Sequence, residues 1–287
     1  MHRWIIGARP RTLPAAIVPV ALGASCAVGA GDVVWWRVAC ALFVSLALQV
    51  GVNYANDYSD GVRGTDDVRV GPQRLVAGGL ASPAAVKRAA LLAFALAGLA
   101  GLAIALDTSP WLILVGAACI AAGWFYTGGS HPYGYLGLGE VFVFVFFGLV
   151  ATAGTTFAAI EGVTALSVVM GCGAGALACA LLVVNNLRDI PTDREVGKNT
   201  LAVRLGDRRT RWFYVVLVDV AFIVVIVAAF WRVPVLLALV AAPLAVVPIK
   251  AVLRGASGRD LIGVLGATGR LQLAYALLAS IGLLLGS

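Results

Sequence analysis

The chain has 287 residues, of which 61% are hydrophobic and only 12% are charged, and its formal net charge at pH 7 is +7. Soluble domains carry about 25% charged residues, so this chain has too little charge to cover a surface that faces water. The composition excludes a soluble globular protein. Since no stretch is polar enough to form a separate soluble unit, residues 1–287 are predicted to form one membrane-embedded domain.

Nine apolar segments come close to the 20 or so residues that a helix needs to cross a bilayer. Two pairs of them are joined by very short connections that contain Pro110 and Pro234, which indicates tight helical hairpins because proline suits the first turn of a helix. The fold class predicted is all-α, a polytopic bundle of nine transmembrane helices. The segments lie at about 12–30, 34–57, 84–106, 109–126, 138–160, 163–187, 211–231, 233–253 and 266–286.

Positive charge is distributed very unevenly over this nine-helix topology. If the N-terminus is cytoplasmic, every one of the 21 Lys and Arg residues except Arg37 and Arg232 falls on the cytoplasmic side. The positive-inside rule therefore predicts a multi-pass protein of the plasma membrane with a cytoplasmic N-terminus and its C-terminus on the opposite side. The basic charge is explained by topology, and no basic patch with interleaved aromatic residues indicates nucleic acid as a partner.

Two polar clusters occur at the ends of the second and sixth predicted helices, in the stretches NYANDYSDG and NNLRDIPTD. Residues four apart share a helix face, and because the two helices run in the same direction, both clusters are predicted to meet at the cytoplasmic side. Pro191 removes one helical hydrogen bond, so it stays open whether the sixth helix continues past it. The clusters are Asn53, Asn56, Asp57 and Asp60, and Asn185, Asn186, Asp189 and Asp193.

Several carboxylates held close together repel one another, and a divalent cation removes that repulsion. Mg²⁺ takes few carboxylates and shares its coordination shell with substrate phosphates, which predicts Mg²⁺ as the cofactor. Nearby cations suited to phosphate oxygens are Arg63, Arg74, Lys198 and Arg204. The alternative is that the acids are interfacial loop charges paired with arginines, which accounts for one aspartate better than for two clusters.

These stretches resemble the UbiA-type superfamily of intramembrane aromatic prenyltransferases. Asn56 to Asp60 is similar to its NDxxD pattern, and Asp189 and Asp193 to its DxxxD pattern. Five ordered stretches between Arg9 and Gly206 narrow the resemblance to the 1,4-dihydroxy-2-naphthoate polyprenyltransferases of menaquinone synthesis. The family's third aspartate would fall at Gly64, and it stays open whether Asp66 or Asp67 takes that place.

The resemblance implies a single prenyltransferase domain over residues 1–287, a nine-helix bundle with a cytoplasmic cap over a polar cavity. Its partners would be polyprenyl diphosphate, 1,4-dihydroxy-2-naphthoate and membrane lipid, and its product, after loss of the carboxylate, demethylmenaquinone. The implied catalytic residues are Asp57, Asp60, Asp189 and Asp193. The implied Mg²⁺ ligands are Asn56, Asp60, Asp189 and Asp193. The implied diphosphate-binding residues are Arg63, Arg74, Lys198 and Arg204.

The predicted acceptor-binding residues are Tyr126, Asn185, Asn186, Glu140 and Arg11. Three of them have an alternative role. Arg11 could be a positive-inside anchor and Tyr126 an interfacial anchor, while Glu140 could be an acid favoured at a helix N-terminus. Asp219, the deepest acid, is expected to be a hydrogen-bonded structural residue.

Other functions are weighed against this one. An ion-coupled transporter would place its acids near the bilayer centre, whereas here they collect at one face. A CDP-alcohol phosphotransferase begins with a DxxDG motif that residues 57–61 match, but Gly64 and Thr65 replace its next residues. Within the favoured family, 4-hydroxybenzoate, haem or a chlorophyllide are alternative acceptors.

Overall fold

The computed structural model describes residues 2–65 and 73–287, and in these ranges the chain forms helices and no strand. The all-α prediction is thus confirmed. The α-helices are α1 (His2–Ala8), α2 (Pro14–Ala27), α3 (Trp35–Arg63), α4 (Pro83–Asp107), α5 (Trp111–Phe125), α6 (Gly139–Val143), α7 (Ala151–Ile160), α8 (Ala165–Glu195), α9 (Leu201–Ala228), α10 (Pro243–Leu253) and α11 (Asp260–Leu285). Short 3-10 helices lie at Pro10–Thr12, Tyr133–Leu136 and Val233–Ala241, and π-helical Phe144–Val150 joins α6 to α7.

Six helices of the described chain are long and apolar enough to cross a membrane: α3, α4, the continuous helix Gly139–Ile160, α8, α9 and α11. Two bent pairs raise this count to eight if each pair is one span. They are His2–Thr12 with Pro14–Ala27, bent by 54°, and Val233–Ala241 with Pro243–Leu253, bent by 46°. The protein is therefore a multi-pass membrane protein, and α5, which is 15 residues long, is a shorter apolar helix beside these spans.

Capping and proline residues explain where several helices begin. The Ser82 side chain accepts a hydrogen bond from the Ala85 backbone amide at the start of α4. Thr164 and Ser167 form a reciprocal capping box at the start of α8, which satisfies amides that have no partner within the helix. Pro191 lies inside α8, which continues to Glu195. The sixth predicted helix thus extends past its proline, and Asp189 and Asp193 share one of its faces.

The helix α8 lies at the centre of the bundle. In its most apolar window 72% of the residues are buried, against 28% for α3 and α4. Glycines allow this burial, because a Cβ added at Gly148 would lie 2.5 Å from the Gly175 Cα and 2.7 Å from the Gly171 carbonyl oxygen. Small residues at such a crossing let two transmembrane helices approach closely.

Arg37 and Arg232, the two cations predicted to lie opposite the cytoplasmic side, each bind groups near the ends of other helices. Buried Arg37 at the start of α3 donates to the carboxylates of Asp107 (2.7 Å) and Glu161 (2.9 Å), which end α4 and follow α7. Arg232 donates to the carbonyl oxygens of Ser25 and Leu283. These residues close the end of the bundle that lies opposite the two polar clusters.

The close approach at Gly148 gives a test of the packing. Gly148→Ala adds a methyl group against backbone atoms that cannot move aside, and we expect it to destabilise the fold by about 1–3 kcal/mol, as overpacking commonly does. Thermal unfolding in detergent measures the change. Gly263→Ala is the matched control because its added Cβ would meet no atom within 4 Å. Equal midpoints for the two variants would contradict the assigned packing.

Candidate functional site

A cavity of about 1060 Å³ opens between the helices, and residues from both polar clusters line it. Its opposite part is apolar, with walls from α4, α5 and α7 that include Gly98, Gly116 and Gly154. The structure thus brings together side chains that lie more than 120 residues apart in the sequence. The lining residues from the two clusters include Asn56, Asp60, Asn185, Asn186, Asp189 and Asp193.

Asp60, from the C-terminal part of α3, is 3% exposed and has both of its carboxylate oxygens bound. The Tyr135 hydroxyl donates to Oδ1 at 2.7 Å, and the Lys198 ammonium donates to Oδ2 at 3.2 Å. The Lys198 ammonium also lies 4.7 Å from the centre of the Tyr135 ring. Two loops that precede α6 and α9 therefore meet at one carboxylate.

Electrostatics keeps these two partners of Asp60 in the states that bind it. Burial by itself lowers the pKa of the Lys198 ammonium, but the charges of Asp60 and Asp193 and the hydrogen bond to Asp60 raise that pKa above its ordinary value. Burial and the charge of Asp60 raise the pKa of the Tyr135 hydroxyl. At neutral pH, Lys198 is therefore a cation and Tyr135 is a neutral donor.

Asp189 on α8 has a cationic partner that the sequence reasoning missed. The neighbouring Arg188 donates from Nε and Nη2 to the two Asp189 carboxylate oxygens at 2.7 and 2.8 Å. Both residues are buried and line the cavity, as does buried Asp193 one helical turn further along. An arginine inside an apolar helix is the signal that could have revealed this pair, because an intramembrane charge needs a partner.

Asp57 has a different environment from Asp60. Its carboxylate accepts the backbone amides of Leu75 (2.9 Å) and Val76 (3.0 Å), and the side chain is 1% exposed. It is not among the described residues that line the cavity. The carboxylate therefore holds the segment before α4 against α3, so that cavity-lining Arg74 is fixed in place. Asp66 and Asp67 lie outside the described residues.

The four predicted diphosphate-binding cations separate into two groups. Arg74 and Lys198 line the cavity. Arg63 instead donates to the carbonyl oxygens of Thr127 and Gly129, and exposed Arg204 donates to the Asn199 carbonyl oxygen at 3.2 Å. Arg63 and Arg204 thus hold the backbone of the loops beside the cavity, and neither is among its described lining residues.

The loop between α5 and α6, which carries Tyr135, contacts the first cluster at a second point through Thr127. Thr127 donates its hydroxyl to the Asn56 side-chain oxygen at 2.8 Å, and both side chains are buried. Asn53 faces the N-terminal segment, where its amide group donates to the Ala8 carbonyl oxygen and to the Thr12 hydroxyl. Asn53 and Asn56, three residues apart on α3, thus bind two different segments of the chain.

Four of the five predicted acceptor-binding residues, Arg11, Tyr126, Asn185 and Asn186, line the cavity. Glu140 lies behind them on α6, where its Oε1 accepts from the Asn186 amide at 2.9 Å. Its other oxygen, Oε2, is buried and has no hydrogen-bond partner among the described residues. Glu140 therefore contacts the cavity lining through Asn186.

Asp219 does not have the environment predicted for it. The structure places it on α9 with an exposed side chain, outside the described lining of the cavity. The deepest acid of the sequence is therefore neither buried nor part of the acidic site.

Comparisons with known proteins place the chain in a family. Residues 16–261 match the UbiA prenyltransferase family. The chain is 54% identical over 278 residues to a 1,4-dihydroxy-2-naphthoate octaprenyltransferase of Mycobacterium tuberculosis, covering 96% of this chain and 94% of that protein. It is 38% identical over 226 residues to the Escherichia coli protein of that name, covering 74% and 71% of the two chains.

Among solved structures, a UbiA homolog from Archaeoglobus fulgidus bound to GPP and Mg²⁺ superposes with a TM-score of 0.66. The match covers 97% of this chain and 99% of that one, at 16% sequence identity. At this identity the likeness extends to the fold alone.

The different contacts of Asp57 and Asp60 can be tested with matched substitutions. Asp57→Asn sets an amide group against one of two buried backbone donors, and we expect this to cost about 1–3 kcal/mol of stability. Asp60→Asn should cost less, because its partner Lys198 lies on a loop and can turn to water. Thermal unfolding and limited proteolysis near residues 77–82 measure both effects. A larger loss of stability in Asp60→Asn would contradict these roles.

Proposed function

The chain belongs to the UbiA prenyltransferase family, and from this premise we propose that it transfers a polyprenyl group from polyprenyl diphosphate to 1,4-dihydroxy-2-naphthoate, with decarboxylation, in menaquinone biosynthesis. The observation that carries the proposal is the 54% identity to a named 1,4-dihydroxy-2-naphthoate octaprenyltransferase over 96% of the chain. A cavity with an acidic end and an apolar end supports it, because a lipid diphosphate has the same two parts.

The side chains at the acidic end fit Mg²⁺. Asn56 and Asp60 from one helix and Asp189 and Asp193 from another line the cavity, and all four offer the oxygen ligands that Mg²⁺ requires. In residues 2–65 and 73–287, no three acidic, histidine or cysteine side chains form a metal site by themselves. Two donors from each helix suit Mg²⁺ in particular, because this ion takes few protein ligands and completes its coordination shell with substrate phosphates.

Bound Mg²⁺ would neutralise the charge that builds up on the departing diphosphate. The cavity cations Arg74 and Lys198 would add donors to the same oxygens, and arginine can do so with two parallel hydrogen bonds. Asp57, Arg63 and Arg204 would contribute indirectly, since their contacts hold the backbone of the loops that carry these groups.

The apolar part of the cavity would hold the polyprenyl tail. Gly116 lies ten residues before Tyr126, and Gly154 lies 14 residues after Glu140. At 1.5 Å per helical residue, the cavity thus extends roughly 15–20 Å from the acceptor residues. Apolar walls of this length would exclude water from the allylic cation that forms when the bond to the diphosphate breaks.

The acceptor ring would lie between the two ends, against Tyr126, Asn185 and Asn186. Glu140 would orient Asn186 through their hydrogen bond, and Arg11 would supply positive charge for the acceptor carboxylate. The C–O bond of the donor breaks with both electrons going to diphosphate, and a ring carbon forms the new C–C bond. The prenylated ring carbon gives up a proton, and a proton replaces the carboxylate, which leaves as CO₂ with its bonding electron pair staying on the ring. The products are the hydroquinone form of demethylmenaquinone, CO₂ and diphosphate.

The same proposal includes nine spans and a cytoplasmic active site. Each bent pair would cross once and α5 would form a short ninth span. The cavity is flanked by Arg63, Arg74 and Lys198, which belong to the basic side of the chain. The positive-inside rule assigns that side to the cytoplasmic face of the plasma membrane. The segments 126–138 and 196–200, which meet at Asp60, would form the cap.

The central test is a reconstituted assay. The protein in nanodiscs, given polyprenyl diphosphate and each candidate acceptor, should form product only with the dihydroxynaphthoate and only with a divalent metal. EDTA should remove the activity and Mg²⁺ should restore it. Asp60→Asn and Asp189→Asn should each lower turnover by at least about a hundredfold, as losing a transition-state contact does. Product formed only with 4-hydroxybenzoate would overturn the assignment of the acceptor. Near-normal turnover of both variants would overturn the assignment of the metal site.

The apolar channel makes a prediction about tail length. Gly154→Leu fills space where an added Cβ would meet no atom within 4 Å. We expect kcat/KM for a long polyprenyl donor to fall at least about tenfold, or 1.4 kcal/mol, while a ten-carbon donor is little affected. Gly263→Leu is the control, because its added Cβ also meets no atom within 4 Å but its position on α11 is exposed and lies outside the described lining of the cavity. Equal losses for both donors in Gly154→Leu would contradict this path for the tail.

A further inference from the structure

Arg188 is the cation of the cavity that neither the family resemblance nor the sequence pattern assigned. Its side chain is 1% exposed, and its guanidinium binds both carboxylate oxygens of the next residue, Asp189. Consecutive residues of an α-helix point about 100° apart and do not ordinarily face each other. Both side chains therefore turn toward one point on the cavity wall, which both of them line.

The oxygens that Arg188 binds are the ones that Asp189 would offer to Mg²⁺. The arrangement at the other helix is parallel, because Lys198 and Tyr135 bind the two oxygens of Asp60. A metal ion that binds either carboxylate has to compete with a cation of the chain. At Asp189 this competition is with a bidentate pair, which is the stronger arrangement.

A guanidinium displaced from Asp189 would be a buried cation that requires another anion, since an uncompensated buried charge is strongly unfavourable. The diphosphate of the donor would enter the same cavity together with the metal. Arg188 can reach it without leaving the wall that it lines, and its planar donor fork matches phosphate oxygens as well as it matches a carboxylate.

We propose that Arg188 is a positioning residue that exchanges partners, binding Asp189 until Mg²⁺ and diphosphate arrive and then binding the diphosphate. This inference rests on the proposed function, because it needs a metal and a diphosphate in the cavity. It predicts that the two ligands favour each other's binding. Mg²⁺ alone has to displace the guanidinium, whereas Mg²⁺ with diphosphate supplies the anion that receives it, which is a positive coupling.

The proposal gives Arg188→Gln opposite effects on two binding steps. Mg²⁺ alone should bind about tenfold more tightly than to the wild type, because its competitor is gone. Inorganic pyrophosphate at saturating Mg²⁺ should bind about tenfold more weakly, because a cation is lost; tenfold corresponds to about 1.4 kcal/mol. Calorimetric titration of the protein in nanodiscs measures both constants without turnover.

Two further variants sharpen the test. Arg194→Gln makes the same change in charge on the same helix at an exposed side chain, and both affinities should match the wild type. Arg188→Lys keeps the charge but loses the fork, so Mg²⁺ alone should bind more tightly while pyrophosphate affinity stays within about threefold. This variant carries the test if Arg188→Gln does not fold, since removing one partner of a buried pair can unfold a protein.

The outcomes separate the inference from the proposed function. Parallel weakening of both ligands in Arg188→Gln or Arg188→Lys would show a purely structural residue and overturn the exchange. Unchanged affinities in both variants would overturn it as well. A wild-type protein that fails to bind pyrophosphate with Mg²⁺ would instead overturn the proposed function itself.

Discussion

The structure depends on carrying several carboxylates into an apolar helix bundle and supplying them with hydrogen-bond or ionic partners there. Charge in the interior of a membrane protein is costly unless it is paired. Asp60 has Lys198 and Tyr135, and Asp189 has Arg188. Each partner comes from a neighbouring loop or from the same helix, so the positions of the loops and the acidity of the cavity are determined together.

The helix α3 shows how one element satisfies this constraint on several sides. Asp57 binds the backbone before α4, Asp60 binds the two loops that precede α6 and α9, and Asn56 binds Thr127. Arg63 adds two more contacts to the same loop between α5 and α6, where it binds the carbonyl oxygens of Thr127 and Gly129. Because successive residues of a helix point in different directions, a single run of polar residues can organise both the cavity wall and the loops around it.

Sequence reasoning could predict the helical class and the meeting of the two clusters, since both follow from composition and helical spacing. It could not distinguish Asp57 from Asp60, because that difference depends on where residues 73–76 return to α3. It could not separate Arg74 from Arg63 and Arg204 either, because all three lie in basic stretches between the predicted spans; the structure places Arg63 at the end of α3 and Arg204 in α9. Hydropathy marked 12–30 and 233–253 as plain spans. The structure instead joins α2 to the preceding His2–Thr12 at a bend of 54° and divides 233–253 into two helices at a bend of 46°, each beside a proline that an apolar average does not reveal.

Glycine has two opposite roles in this bundle, and only the structure tells them apart. Gly148, Gly171 and Gly175 lie where backbones touch, so the absence of a side chain brings helices together. At Gly116 and Gly154 an added Cβ would meet nothing within 4 Å, and both residues line the cavity. Close packing does not explain these two, and glycine inside a helix costs about 0.5–1 kcal/mol relative to alanine in soluble helices. Under the proposed function, their positions leave space for the apolar tail of the donor.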